Sequence, residues 1–290
     1  MHDIDDPHRS LANRLPLGPR EMLAVSQIAG FAAATHPLAP QTIIHTDAEG
    51  LKAGAVSIPA GDREIPAYRA APAGAGPFPV VLVVQEIFGV HEHIRDLCRR
   101  LAKSGYMAIA PELYIRQGNV ADISSIQEII SKVVSKVSDA QVMSDLDATA
   151  AWAANTGKGD DARLGITGFC WGGRITWLYA AHSDKLKAGV AWYGKLVGKA
   201  STNAPRHPLE IAAELKAPVL GLYGGADAGI PMGTIERMRE ACAASGKCEL
   251  VVYPDTPHAF NADYRPSYRA EAAKDGWKRM LAFFRTHGVA

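Results

Sequence analysis

Cysteine is scarce in this sequence: four in 290 residues, at positions 98, 170, 242 and 248. No two form a C-x-x-C pair and none joins histidines at zinc-ligand spacing, which excludes a metal-built ribbon or finger and a thioredoxin-like motif. A chain of this length buries enough apolar surface to do without disulfide staples. Four free thiols are therefore expected, although Cys242 and Cys248 are near enough in sequence to be bridged in an oxidising compartment. Net charge is scarce too. The 31 Lys and Arg face 30 Asp and Glu with no basic run, so no nucleic-acid partner is expected. No apolar run approaches the roughly 18 residues of a spanning helix, so no membrane partner is expected either.

The N-terminus resembles an export signal only in part. Residues 22–40 are apolar and end in small residues, and Arg9, Arg14 and Arg20 precede them. Asp3, Asp5, Asp6 and Glu21 spoil the basic start, and Gln27 interrupts the apolar run. Residues 1–40 are read as a helical N-terminal extension, with a helix from Pro19 to Thr35, and the protein as cytoplasmic. Export is the alternative if that segment acts as a signal.

What is present is an alternation of strand and helix patterns. Residues 41–46 and 65–72 read as strands from their β-branched and alternating apolar content. The continuous apolar runs at 80–85 and 106–111 suit strands buried on both faces of a parallel sheet. Residues 163–169, 187–194, 217–224 and 248–254 follow the same pattern. Helical spacing marks 93–106, most of 124–155, 172–183, 232–246 and 268–288. The alternation predicts an α/β fold, a mostly parallel central sheet with helices on both faces. No linker after residue 41 is long enough to divide it, so residues 41–290 form one domain.

The hexapeptide GFCWGG, residues 168–173, stands between a strand and a helix. That is the setting of a nucleophile elbow, whose side chain projects from a sharp turn at the sheet's carboxyl edge. Glycines at 168, 172 and 173 relieve crowding, and the helix N-terminus favours a thiolate at Cys170. The plain alternative is a small buried cysteine. Asp227 lies just past one later strand and His258 just past the next, in the order nucleophile, acid, histidine. A histidine must manage the thiol proton, and a carboxylate must orient the imidazole. Asp255 is the rival acid. Tyr114, Trp192 and Tyr193 read as pocket wall. His91 and His93 form an H-x-H, but with no third ligand at a recognisable spacing they are read as helix-start and surface residues, not metal ligands.

On the segments QEIFGVHEHIRD, APELYIRQG, GFCWGGR, YGGADAGIP and PHAF the chain resembles the dienelactone hydrolase, or carboxymethylenebutenolidase, family of α/β-hydrolases from about residue 41 to its end. The resemblance implies a triad of Cys170, His258 and Asp227. It also implies that Glu86 contacts the resting thiol, that the N–H groups of Ile87 and Trp171 form an oxyanion hole, and that Arg116 binds a substrate carboxylate. The family's second carboxylate-binding arginine falls at Ala262, with Arg265 three residues on. The expected function is hydrolysis of small lactones or esters through a cysteine acyl-enzyme. A broad esterase or thioesterase is the alternative, and a non-catalytic ligand-binding protein a more distant one. No metal or organic cofactor is expected, and the chain is expected to be monomeric.

Overall fold

The computed structural model describes residues 43–156, 158–243 and 245–290. The helix expected at 19–35 and the boundary at residue 40 lie outside them. Eight strands form one sheet: β1 Leu51–Pro59, β2 Glu64–Pro72, β3 Phe78–Val84, β4 Met107–Pro111, β5 Gly159–Phe169, β6 Leu186–Trp192, β7 Val219–Gly224 and β8 Cys248–Tyr253. Their order is β1-β2-β4-β3-β5-β6-β7-β8. β1 and β2 pair antiparallel, as do β2 and β4, and every other pair is parallel. The long helices are α1 Glu92–Lys103, α2 Asp139–Asn155, α3 Trp171–His182, α4 Met232–Ala243 and α5 Ala270–Thr286.

Two faces of β5 show how the sheet is covered. A Cβ placed on Gly165 would strike Phe284 of α5 and Val289, whereas one on Gly168 would strike Gly172 and Thr176 of α3. Residues three apart on a strand point to opposite faces, so α3 and α5 sandwich the sheet. β3, β5, β6 and β7 accordingly carry apolar side chains on both faces, with Val80 to Val84 entirely buried.

Strand order reverses at β3: the chain moves from β3 outward to β4, then returns to place β5 on the other side of β3. The crevice beyond the carboxyl ends of two such strands is where open α/β sheets bind ligands. Val84 of β3 pairs with Gly168 of β5, so Glu86 and Cys170 stand two residues beyond a shared rung.

Two expectations need correction and one gains detail. Residues 43–46 are not a strand, and β1 lies further on, at 51–59. Thr46 instead gives its N–H to Asp96 Oδ1 (2.6 Å) and its carbonyl accepts from Arg99 Nε (2.7 Å). Side chains of α1 thus satisfy backbone that a sheet neighbour would otherwise pair. The helical stretch 124–155 is broken. It runs as short α, π and 3-10 turns from Ile126 to Lys136, then restarts at Ser138, whose hydroxyl caps Gln141 N–H at 3.2 Å. Finally, Cys242 and Cys248 are joined in a disulfide, with Cα atoms 5.6 Å apart, leaving Cys98 and Cys170 as free thiols. The end of α4 and the start of β8 approach closely enough for the link.

Candidate active site

β5 ends at Phe169 and α3 begins at Trp171, so Cys170 alone makes the turn, at φ 56° and ψ −111°. An L-residue reaches positive φ only under steric strain, held by its surroundings. Here Cys170 N–H donates to Trp192 O (3.0 Å), and Cys170 O accepts from Gly173 N–H (3.0 Å). A Cβ on Gly168 would collide with the Gly172 carbonyl, and one on Gly172 with the carbonyls of Val84 and Gln85. Glycine at both positions lets α3 start directly against β3 and β5. The thiol is half-buried. Trp171 is the first residue of α3, so its N–H has no intrahelical acceptor and faces out from the helix start.

Asp227 follows β7 and His258 follows β8, and both are buried. Asp227 Oδ2 lies 2.6 Å from His258 Nδ1, and Asp227 Oδ1 accepts from Gly229 N–H at 2.9 Å. Asp255, the rival acid, is exposed. Burial opposes an imidazolium at His258. The charge of Cys170, that of Asp227 and hydrogen bonds to both outweigh it and push His258 up to about 10. The ring stands edge-on to Tyr193, with centroids 5.0 Å apart. Three non-glycine residues among those described have positive φ: Cys170, Tyr193 (39°) and Ala259 (58°). One is the elbow, one packs on His258 and one follows it, so backbone strain is concentrated at this crevice.

Glu86 is buried beyond β3, with Ile87 buried beside it. Burial penalises its charge, but His91, with Nε2 3.6 Å away, and the positive field of Arg265 and His93 hold it down to about 2. Tyr264 Oη donates to Glu86 Oε2 at 2.6 Å. Tyr193 and Tyr114 line the same chamber. Burial raises both phenols well above their usual range, and the charges of Cys170 and Glu86 act on each. Tyr114 also stands edge-on to Trp171 at 4.9 Å.

The other expected site residues have these surroundings. Arg116 is bound by acids of the fold: Nε to Asp62 Oδ2 at 2.9 Å, Nη1 to Asp145 Oδ2 at 2.7 Å, and Nη2 to Asp62 and Ala60 O. Its fork is already engaged by these carboxylates. Trp192 is core, not pocket wall. Its ring meets Gly276 of α5, stacks on Phe169 at 5.5 Å and donates to Thr167 Oγ1 at 3.1 Å. His91 and His93 are buried, not surface residues. Ala262 is fully buried. Arg265 lies over the Phe88 ring, 5.4 Å from its centroid, and its charge acts on Glu86 and Tyr193. Tyr264 and His91 were missed as site residues. Their approach to Glu86 is tertiary, and only the unusual lone acid after a buried strand hinted that a partner was needed. Among the described residues no group of three or more His, Cys, Asp or Glu could hold a metal ion, and no helix is long and apolar enough to cross a membrane.

The Dienelactone hydrolase family model matches residues 65–288. Two curated relatives carry the name "putative carboxymethylenebutenolidase". The one from Methylorubrum extorquens is 66% identical over the whole of both chains. The one from Escherichia coli K12 is 58% identical over 92% of this chain and 98% of its own. A crystal structure described as a "putative dienelactone hydrolase" from Klebsiella pneumoniae superposes with a TM-score of 0.80 at 63% identity, covering 81% of this chain and 98% of that one. A metagenomic dienelactone hydrolase-like phosphotriesterase, TM-score 0.68 at 21% identity over 82% of this chain and 99% of its own, shares the fold. Elbow, sheet order and sequence agree: the chain belongs to the dienelactone hydrolase family of α/β-hydrolases and is a carboxylic-ester hydrolase acting on lactones or esters.

Proposed function

We propose that the enzyme cleaves small esters or lactones through a Cys170–His258–Asp227 triad and a cysteine acyl-enzyme. Its principal support is the strained Cys170 at the start of α3, facing an imidazole that Asp227 holds at 2.6 Å. The cycle starts with Glu86 as a carboxylate and His258 as an imidazolium. When substrate arrives, Glu86 takes the thiol proton and the thiolate attacks the carbonyl. Charge develops on the carbonyl oxygen, where the N–H groups of Trp171 and Ile87 receive it. The tetrahedral intermediate collapses as His258 gives its proton to the departing oxygen, leaving a thioester and a neutral imidazole. Water then attacks the thioester while His258 takes its proton. The thiolate leaves and recovers its proton from Glu86.

The substrate region is apolar and aromatic, with the phenols of Tyr114 and Tyr193 as hydrogen-bonding groups. Because Arg116 is occupied by Asp62 and Asp145, Arg265 is the arginine on the chamber side. A substrate carboxylate thus meets one guanidinium, and uncharged esters are accepted beside dienelactone-like ones. The test is a stopped-flow burst with p-nitrophenyl acetate, followed by acid quench and mass analysis of the Cys170 peptide. One equivalent of acyl group on Cys170, absent from Cys170→Ala, is expected. A burst that survives in Cys170→Ala sinks the proposal.

A further inference from the structure

Beside the thiol chamber lies a buried polar stack to which the steps above assign no work. The rings of His91 and His93 lie parallel at 6.1 Å, and the Tyr264 ring packs across both, at 5.1 Å and 5.2 Å. At the outer end, Asp263 binds His93 Nδ1 at 3.1 Å and accepts from Arg100 Nη2 at 2.6 Å. That pair anchors the residue next to Tyr264 on α1. At the inner end, two groups converge on one oxygen of Glu86. Tyr264 Oη donates to Oε2 at 2.6 Å, and His91 Nε2 stands 3.6 Å from it. His91 occupies the N-cap position of α1 yet makes no side-chain capping bond. Its ring faces the carboxylate instead.

The other oxygen, Glu86 Oε1, is buried and has no hydrogen-bond partner among the described residues. A buried carboxylate normally collects donors on both oxygens. Here both gripping groups are on one oxygen, and Glu86 and Cys170 stand two residues beyond the rung that pairs Val84 with Gly168. We propose that Tyr264 and His91 are positioning residues that grip Glu86 by Oε2 and thereby present Oε1 to the Cys170 thiol as its proton acceptor. The inference rests on the acyl-enzyme reading and adds what aims the base. The balance is simple: the S–H bond breaks, an O–H bond forms on Oε1, and carboxylate with thiol becomes carboxylic acid with thiolate. Other groups facing Glu86 are His93, Arg265, Tyr193, Tyr114 and Cys170, with Glu112 acting on Tyr114.

The experiment follows alkylation of Cys170 by iodoacetamide from about pH 4 to 9, with the acylation rate measured alongside. Cys98 is an internal control, since burial raises its thiol far out of the reactive range. Tyr264→Phe removes a bond to a charged acceptor, which should raise the proton affinity of Glu86 about 10- to 100-fold, or one to two pH units. His91→Gln should shift it the same way. In the double variant the acid limb of both profiles should enter the range of roughly pH 4 to 6, with acylation slowed and KM changed less than about threefold. On a Glu86→Gln background neither substitution should have any further effect. Profiles that stay in place in folded Tyr264→Phe and His91→Gln proteins overturn the proposal. So do losses as large in Glu86→Gln as in the wild type, since these would mark a purely structural role. If Tyr264→Phe fails to fold, His91→Gln decides alone. Full hydrolysis by Cys170→Ala would overturn the underlying reading; an inert Cys170→Ala with unmoved Tyr264 and His91 profiles overturns the grip alone.

Discussion

Replacing Asp227 by Asn probes the triad most sharply, because the structure dictates which way the amide must face. Asp227 Oδ1 accepts from Gly229 N–H at 2.9 Å, and Oδ2 meets His258 Nδ1 at 2.6 Å. An amide nitrogen in the first position would set donor against donor, so Asn keeps its oxygen towards Gly229 and turns its NH₂ towards His258. Nδ1 must then accept, which moves the ring proton to Nε2 and points it at the thiol, the wrong tautomer for taking a proton from water. The imidazolium also loses a buried counter-charge. Removing one partner of a buried pair costs about 3–5 kcal/mol, and 1.36 kcal/mol corresponds to one pH unit or tenfold in rate. His258 should therefore fall from about 10 to roughly 6–8, and acyl-enzyme hydrolysis should slow by about 10²- to 10⁴-fold. The assay is pre-steady-state p-nitrophenolate release with NMR titration of the His258 ring, and the exposed Asp255→Asn is the control. Turnover by Asp227→Asn within about threefold of wild type, or a larger loss in Asp255→Asn, would refute the reasoning.

Cys170→Ala should abolish hydrolysis without unfolding the protein, and Cys170→Ser should be far slower than the wild type, because a hydroxyl is much less acidic than a thiol; equal rates for Ser and Cys in the ester assay would show that thiolate activation is not the principle. Arg116→Ala should leave the ratio of kcat/KM for dienelactone and for a neutral ester of similar size unchanged, while leaving the buried Asp145 uncompensated and lowering stability by about 1–3 kcal/mol in urea melts. A changed ratio would return Arg116 to the substrate. Thermal stability should be highest between about pH 4.5 and 6.5. Glu86 is held at about 2 against an ordinary 4.5, so its contribution is lost as pH falls from 4.5 through 2. His258 is raised to about 10 from 6.5, so its contribution is complete below 6.5 and lost as pH rises through 10. Calorimetry should find the acid slope shallower in Glu86→Gln and the alkaline slope shallower in His258→Gln; slopes unchanged in both would contradict these assignments.

Local pattern determined most of the fold. Continuous apolar runs could only be strands buried on both faces, as β3 to β7 are, and the glycines of GFCWGG could only be needed where two backbones nearly touch. That Cys170, Asp227 and His258 come to one edge of the sheet was legible because each follows a strand, and strand ends in a parallel sheet share one edge. Where sequence failed, the deciding contacts span long stretches of chain. Residues 43–46 carry a strand's composition, but their backbone is claimed by Asp96 and Arg99 of a helix about 50 residues on. Arg116 has the chemistry of a carboxylate reader, and only the approach of Asp62 and Asp145 decides which carboxylates it binds. Trp192 and Tyr193 are neighbours in sequence, yet their rings go to different work, one against Gly276 of α5 and the other against His258. Tyr264 lies 178 residues from the acid it holds. Periodicity reports which side of its own element a residue lies on, whereas a hydrogen bond across the fold depends on where another element has been carried, and only the packed sheet and helices fix that.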